Sequence, residues 1–220
     1  MVKMVEAADA PLPFKERQRR LREEAIVDAA EDVLTGRGPH ALSMDDVAAR
    51  VGIAKGTIYL HFASKDALLA EIVARGIARI VTLIDALDPA RPALERLSIV
   101  MRQLLRRHVD SIQGMSDDMQ ELRRIFAADA RCADAVHGLR ARLGALVDEG
   151  KQDGEIDSML PTLAIVGALF ALLSPRSYAR MLADGAVAGD DLNDALVRLY
   201  LKGIARDPSL VPTLQQGDGA

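Results

Sequence analysis

The sequence predicts an all-α protein, and three observations carry that expectation. Half of the 220 residues are hydrophobic, yet only 3% are aromatic and none is Trp, so Leu, Ala, Val and Ile must build the core. The composition is rich in Ala, Leu and Arg with few β-branched runs, which favours helix. Apolar residues recur at helical spacing between Gly and Pro breaks, giving about nine helices.

The first residues, with Pro11 and Pro13, read as a disordered arm over 1–13. A helix then runs from about Phe14 to Leu34, with Leu21, Ala25, Ala29 and Val33 as its expected buried stripe. Gly36, Gly38 and Pro39 end it. Ser43 is placed as an N-cap, and Asp46 three residues on completes a capping-box pattern. Met44, Val47, Ala48 and Val51 form the apolar face of this second helix, which stops at Gly52. A third helix spans about Lys55 to Phe62, and Ser64 caps a long fourth one, with Asp66 in its positive first turn. Two short helices around a tight Gly-containing turn form a helix-turn-helix pattern.

Beyond residue 64 the spacing predicts helices over Ser64 to Asp88, Ala93 to Gln113, Ser116 to about Asp129 and Ala133 to Lys151. An apolar segment from Ser158 to about Ala183 contains Pro175, which should kink or split it. The last helix follows the Gly185 to Asp190 loop and reaches about Arg206, with Leu192, Leu196, Leu199 and Gly203 as its stripe. The tail, 207–220, reads as flexible. The domains expected are therefore 14–63, a helix-turn-helix unit, and 64–206, a larger helical bundle.

Charge and special residues narrow the function. The net charge is −4, but Lys15 to Arg22 (KERQRRLR) carries a local +4. Cys132 is the sole cysteine and cannot form an intrachain disulfide, which suits a reducing compartment. The N-terminus has no apolar core of signal-peptide length, and the longest apolar run, Leu163 to Leu173, has 11 residues. A cytoplasmic protein with no membrane association is expected. His40, His108 and His137 have no metal-ligand spacing with one another or with Cys132, so no metal or cofactor is expected. No nucleophile–base pair or Gly-rich phosphate loop marks an enzyme.

The third helix is the most informative stretch. Ile58 and Phe62, at i and i+4, supply its buried edge. At 100° per residue Thr57 and His61 share another face, with Gly56 and Leu60 beside them, while Lys55 and Tyr59 flank the buried edge. More than half of this helix is thus free for something outside the core.

From about Ala25 to Leu69 the sequence resembles the TetR family of bacterial transcriptional regulators. The resemblance rests on the stripe of helix one, on LSMDDVAARVGIAKGTIYLHF with its helix-turn-helix spacing, and on SKDALL opening helix four. It implies a recognition helix in the major groove of double-stranded DNA, with Ser43, Lys55, Gly56, Thr57, Tyr59, His61 and Lys65 as DNA contacts. Family members often carry Ser or Thr before this Lys-Gly-Thr; here Ala54 stands there, a poor N-cap without a phosphate donor.

The resemblance further implies a homodimer on a palindromic operator, in the role of a repressor released by a small-molecule effector. Met101, His108, Met119, Leu122, Phe126, Phe170 and Tyr178 are the candidate pocket residues. Leu169, Leu192, Leu196 and Leu199 are candidates for the dimer interface. A competing function class is a helical small-molecule carrier or protein-interaction module that keeps the helix-turn-helix only as scaffold; the net acidity and Ala54 favour it, and the basic stretch and the intact Thr57, Tyr59, His61 and Lys65 set oppose it.

Overall fold

A computed structural model of the chain describes residues 13–37, 42–112, 129–173 and 188–212, with the side chains of 35–37 and 107–112 left aside. Among the described residues it is all-α: α1 (Phe14–Arg37), α2 (Met44–Val51), α3 (Lys55–His61), α4 (Lys65–Ala86), α5 (Ala93–Ile112), α6 (Ala130–Gln152), α7 (Thr162–Leu172) and α8 (Gly189–Ile204). The helix expected over Ser116 to Asp129 and the break expected at Pro175 lie outside the described residues. None of the described helices is long and apolar enough to cross a membrane.

The buried side chains form two clusters. The first joins α1, α2 and α3 to the start of α4 through Ile26, Val33, Val47, Ile58, Phe62 and Leu68. The second joins the end of α4 to α5, α6, α7 and α8 around Leu97, Met101, Leu143, Val166 and Leu201. Burying one such side chain fully contributes about 1.5–3 kcal/mol. Cys132, near the start of α6, belongs to the first cluster rather than the second. Its thiol donates to the Ala70 carbonyl of α4 at 3.3 Å, and burial pushes its pKa up.

The stripe expected on α1 needs correction. Val33 is buried, but Ala29 is half-buried, Ala25 is exposed and Leu21 is 65% exposed. A strict four-residue repeat drifts about 40° per step around a helix of 3.6 residues per turn. The face that stays on the core is Ile26, Val27, Ala30 and Val33.

Local signals set most helix ends. Gly52 ends α2 in the left-handed region at φ 73°, where the turn to α3 requires a residue without a Cβ clash. Ser64 caps α4, its Oγ accepting from the Ala67 N–H at 3.1 Å. Ser43 occupies the N-cap position of α2, but its side chain makes no capping bond, so the expected capping box does not form. Long-range contacts finish the bundle. Glu155, after α6, accepts from the Ala93 and Leu94 N–H groups at 3.0 Å each and so caps α5 with its carboxylate. Tyr200 of α8 donates its hydroxyl to the Ile165 carbonyl of α7 at 2.8 Å, and burial raises its pKa. At the start of the expected tail, Asp207 caps a short 3-10 turn, Pro208–Leu210, and Val211 packs against the larger cluster; residues 213–220 lie outside the described residues.

Helices α5 and α6 meet closely at Gly150, where an added Cβ would fall 2.8 Å from both Ala93 Cβ and Ile156 Cδ1. Gly150→Ala should therefore lower the unfolding free energy by about 1–3 kcal/mol in urea titrations. On the same helix a Cβ at Gly138 meets nothing within 4 Å. Gly138→Ala should be neutral or stabilising by up to about 1 kcal/mol.

Candidate nucleic-acid interface

A seven-residue helix is too short to hold itself, so α3 depends on what lies beneath it. Ile58 is fully buried and Phe62, just past the helix end, nearly so; both sit in the cluster with α1, α2 and α4. Ala54 at the N-cap position offers no side-chain bond, and the Thr57 N–H bonds instead to the Ala54 carbonyl at 2.8 Å. The anchoring edge is the one expected from i and i+4 spacing.

The opposite side of α3 is open. Lys55, Gly56, Tyr59 and Leu60 are exposed, Tyr59 at 44%, and Thr57 is half-buried. Among the described residues, a Cβ at Gly56 would meet nothing within 4 Å beyond its chain neighbours and its own helix backbone. Packing within the chain therefore gives no reason for glycine at this position. Lys55 Nζ donates to Asp45 Oδ2 of α2 at 2.7 Å, and that hydrogen bond raises the lysine pKa. Both partners are exposed, so the pair is weak and can open to another anion. Lys65, half-buried, is the first residue of α4. A phosphate at this helix start would meet the lysine charge and the positive end of the helix together. Ser43 is half-buried at the start of α2.

His61 differs from expectation. Its side chain is about 10% exposed, and Nδ1 lies 3.2 Å from Glu23 Oε1 of α1. The imidazole ties the end of α3 to α1 in place of projecting outward with Thr57. Neither this contact nor Lys55–Asp45 is visible in local sequence: the partners lie 38 and 10 residues apart and follow no repeat.

Of the candidate pocket residues, Met101 and Phe170 have described side chains. Met119, Leu122, Phe126 and Tyr178 lie outside the described residues, as does the side chain of His108 on α5. Met101 is buried in the larger core cluster. Phe170 is half-buried with the Arg140 guanidinium 4.1 Å over its ring.

The candidate interface leucines divide. Leu169, Leu192 and Leu196 are buried within the protomer and so cannot form its outer face. Leu199 is 70% exposed, with Ala195 exposed one turn before it on α8. On α7 the exposed set is Leu163, at 79%, with Ala164, Ala168 and Ala171. An apolar stripe on each of two helices is therefore bare; the expected Leu199 lies on it, while Leu169, Leu192 and Leu196 face inward.

Residues 26–72, which hold α2, α3 and the first turns of α4, match the family of bacterial regulatory proteins called the tetR family. The chain is 31% identical to the HTH-type transcriptional activator FasR of Mycolicibacterium smegmatis over 183 residues, covering 80% of this chain and 70% of that protein. The chain belongs to the TetR family. It is also 30% identical over 93 residues to an uncharacterized HTH-type transcriptional regulator of Mycobacterium tuberculosis, a match covering 40% of this chain and 46% of that protein's length. In fold this TetR-family protein is similar to the transcriptional regulator FadR of Bacillus subtilis, solved in complex with stearoyl-CoA. The TM-score is 0.62 at 21% identity, over 82% of this chain and 98% of that one.

The dependence of α3 on one buried edge can be measured. Ile58→Ala should lower the unfolding free energy by about 2–5 kcal/mol. Leu60→Ala, two residues on but 78% exposed, should change it by no more than about 0.5 kcal/mol. Equal losses in denaturant titrations would mean that α3 is not anchored through Ile58.

Proposed function

We propose that this TetR-family protein is a homodimeric, ligand-responsive DNA-binding transcriptional regulator, a repressor released from a palindromic operator when a small molecule binds its larger helical unit. The observation that carries this reading is the open side of α3, with a glycine at position 56 that no contact inside the chain requires. A duplex backbone lying against α3 supplies the reason, since only glycine lets it approach that closely. Lys55, Thr57 and Tyr59 are suited to base edges and phosphates. Ser43 and Lys65, at the starts of α2 and α4, suit phosphates. His61 acts through Glu23, holding α3 at its angle. The working division is a DNA-binding unit over 14–63 and a ligand-binding and dimerisation unit over 64–206.

One helix as short as α3 reads too little sequence alone, so two copies about one helical turn apart, roughly 34–36 Å, fit successive major grooves. The bare stripes of α7 and α8 suit a twofold contact between protomers, centred on Leu163 and Leu199. Each copy would present the same patch to the other. An effector that prefers a conformer with the wrong spacing lowers DNA affinity by the factor by which DNA lowers its own.

Fluorescence anisotropy with the palindrome upstream of the coding sequence, a half-site and a scrambled duplex tests the reading at two salt concentrations. The palindrome should bind at least about a thousandfold more tightly than the scramble. Equal affinity at both salts would favour the scaffold reading. Stearoyl-CoA, the ligand in the Bacillus subtilis FadR structure, is a first effector probe. The interface has its own test, because Leu163→Glu/Leu199→Glu places charge on both bare stripes while leaving the core leucines alone. Sedimentation should show monomers with weakened operator binding; an unchanged dimer would move the interface elsewhere.

A further inference from the structure

Leu60 is the residue of α3 that points most directly away from the core. Its side chain is 78% exposed, whereas Ile58 before it and Phe62 after it are buried with α1, α2 and α4. Leu60 is two residues from each of them, and at about 100° per residue it lies opposite the edge they form. No other residue of α3 stands as far from both. Gly56 lies one turn earlier on the same open side, about 6 Å along the axis.

A single exposed leucine is ordinary on a protein surface. This one is set apart by its place. The rest of the open side is Lys55, Gly56, Thr57 and Tyr59, residues that are charged, hydroxylated or without a side chain. Leu60 is the one wholly aliphatic large group among them. Local structure does not call for it, since alanine is the better helix former. The folded core gains little from a side chain so exposed. Its use therefore lies in whatever covers the open side.

A duplex lying against α3 meets Leu60 at the outermost point of the helix. The major groove presents acceptors at purine N7, guanine O6 and thymine O4, and amino donors on adenine and cytosine. Leucine can neither donate nor accept. Against any of those atoms it displaces water without replacing the lost hydrogen bond, which is costly. The groove offers one apolar group, the C5-methyl of thymine. Leucine on that methyl removes two apolar surfaces from water together and strands no polar atom.

We propose that Leu60 is a specificity-determining residue of the DNA interface, packing on the C5-methyl of one pyrimidine in each half-site, a thymine in unmodified DNA. This rests on the DNA-binding reading above and gives it a base preference. Lys55, Thr57 and Tyr59 can hydrogen-bond to phosphates or to polar base edges, whereas Leu60 selects by the methyl alone. 5-Methylcytosine carries the same group at the same ring position, so it is read as thymine is at this contact.

The test is operator binding by the full chain, measured by fluorescence anisotropy. Each thymine of the palindrome's half-site, on either strand, is replaced in turn by deoxyuridine in both halves. Deoxyuridine keeps the base pair and the O4 acceptor and lacks only the methyl. At one position affinity should fall by about fourfold per half-site, about fifteenfold for the dimer. Leu60→Ala should lose about as much on the thymine palindrome, and should tell thymine from deoxyuridine there by less than about twofold. With cytosine at that position, methylating its C5 should strengthen binding by the natural sequence and leave Leu60→Ala unchanged. Circular dichroism and melting confirm that Leu60→Ala stays folded, and a loss of fold stability alone would not remove the dependence on one methyl. The assignment is overturned if no deoxyuridine position weakens the natural sequence by more than about twofold. It is equally overturned if Leu60→Ala keeps the full deoxyuridine penalty. In both cases tighter binding of palindrome than scramble leaves the DNA-binding reading standing. Equal binding of palindrome and scramble by the natural sequence overturns that reading, and this contact with it.

Discussion

The structure depends on α4 being one continuous helix shared by two cores. Leu68, Leu69 and Ala70 at its start are buried with α1, α2 and α3, and Ile80 further along is buried with the larger bundle. Ion pairs hold it on both sides. Arg79 Nη1 reaches Glu31 of α1 at 3.0 Å, and Arg75 Nη1 lies 2.7 Å from Asp28. Glu71 accepts from Arg131 of α6 at 2.9 Å, and Asp85 lies 3.2 Å from Arg142. Exposed pairs of this kind contribute about 0–1 kcal/mol each. Their role is to fix the register of α4 against its neighbours more than to stabilise the fold. A helix of 22 residues is about 33 Å long, so a small tilt at one end displaces the other.

The first turn of α6 reaches into the helix-turn-helix core. Cys132 packs there and donates to Ala70, while Arg131 joins Asp129 to Glu71. The larger bundle therefore touches the smaller one directly, a few residues from the Ser64 cap where α4 begins. A displacement of α6 by a ligand has a short physical route to the base of α3, through packed side chains and not through a flexible linker. At the other end of α6, Glu155 caps α5 and the Arg96 guanidinium pairs with Glu149, which locks α5 and α6 together. The closely approached Gly150 lies between these two contacts.

The outer faces of α7 and α8 have a different logic. Both helices turn leucines inward; what remains outside on α7 is alanine with Leu163, and on α8 Ala195 and Leu199 stand among Asp191, Arg198 and Lys202. Small residues give a flat surface that lets a second helix approach closely. Leu163 and Leu199 then supply most of the apolar area on that surface. Burying such side chains on association contributes through the same hydrophobic term that holds the core.

Much of the candidate site was legible in the sequence because its determinants are local. Gly52, Ser64 and the i, i+4 pair Ile58 and Phe62 mark the turn, the cap and the anchored edge within a span shorter than twenty residues. Composition and spacing alone determined an all-helical chain with a short exposed helix after a tight turn. Tertiary structure decided what those signals leave open. Periodicity identifies a stripe but not what covers it, so Leu196 and Leu199 look alike in sequence while one is buried and the other bare. It likewise cannot show where a core ends, which is why Leu21 is exposed at the end of an otherwise helical pattern. His61 carries no mark of its partner, because Glu23 comes within hydrogen-bonding distance only when α1 and α3 pack. Helix ends are fixed by residues next to one another in the chain, whereas faces are fixed by neighbours that only folding brings near.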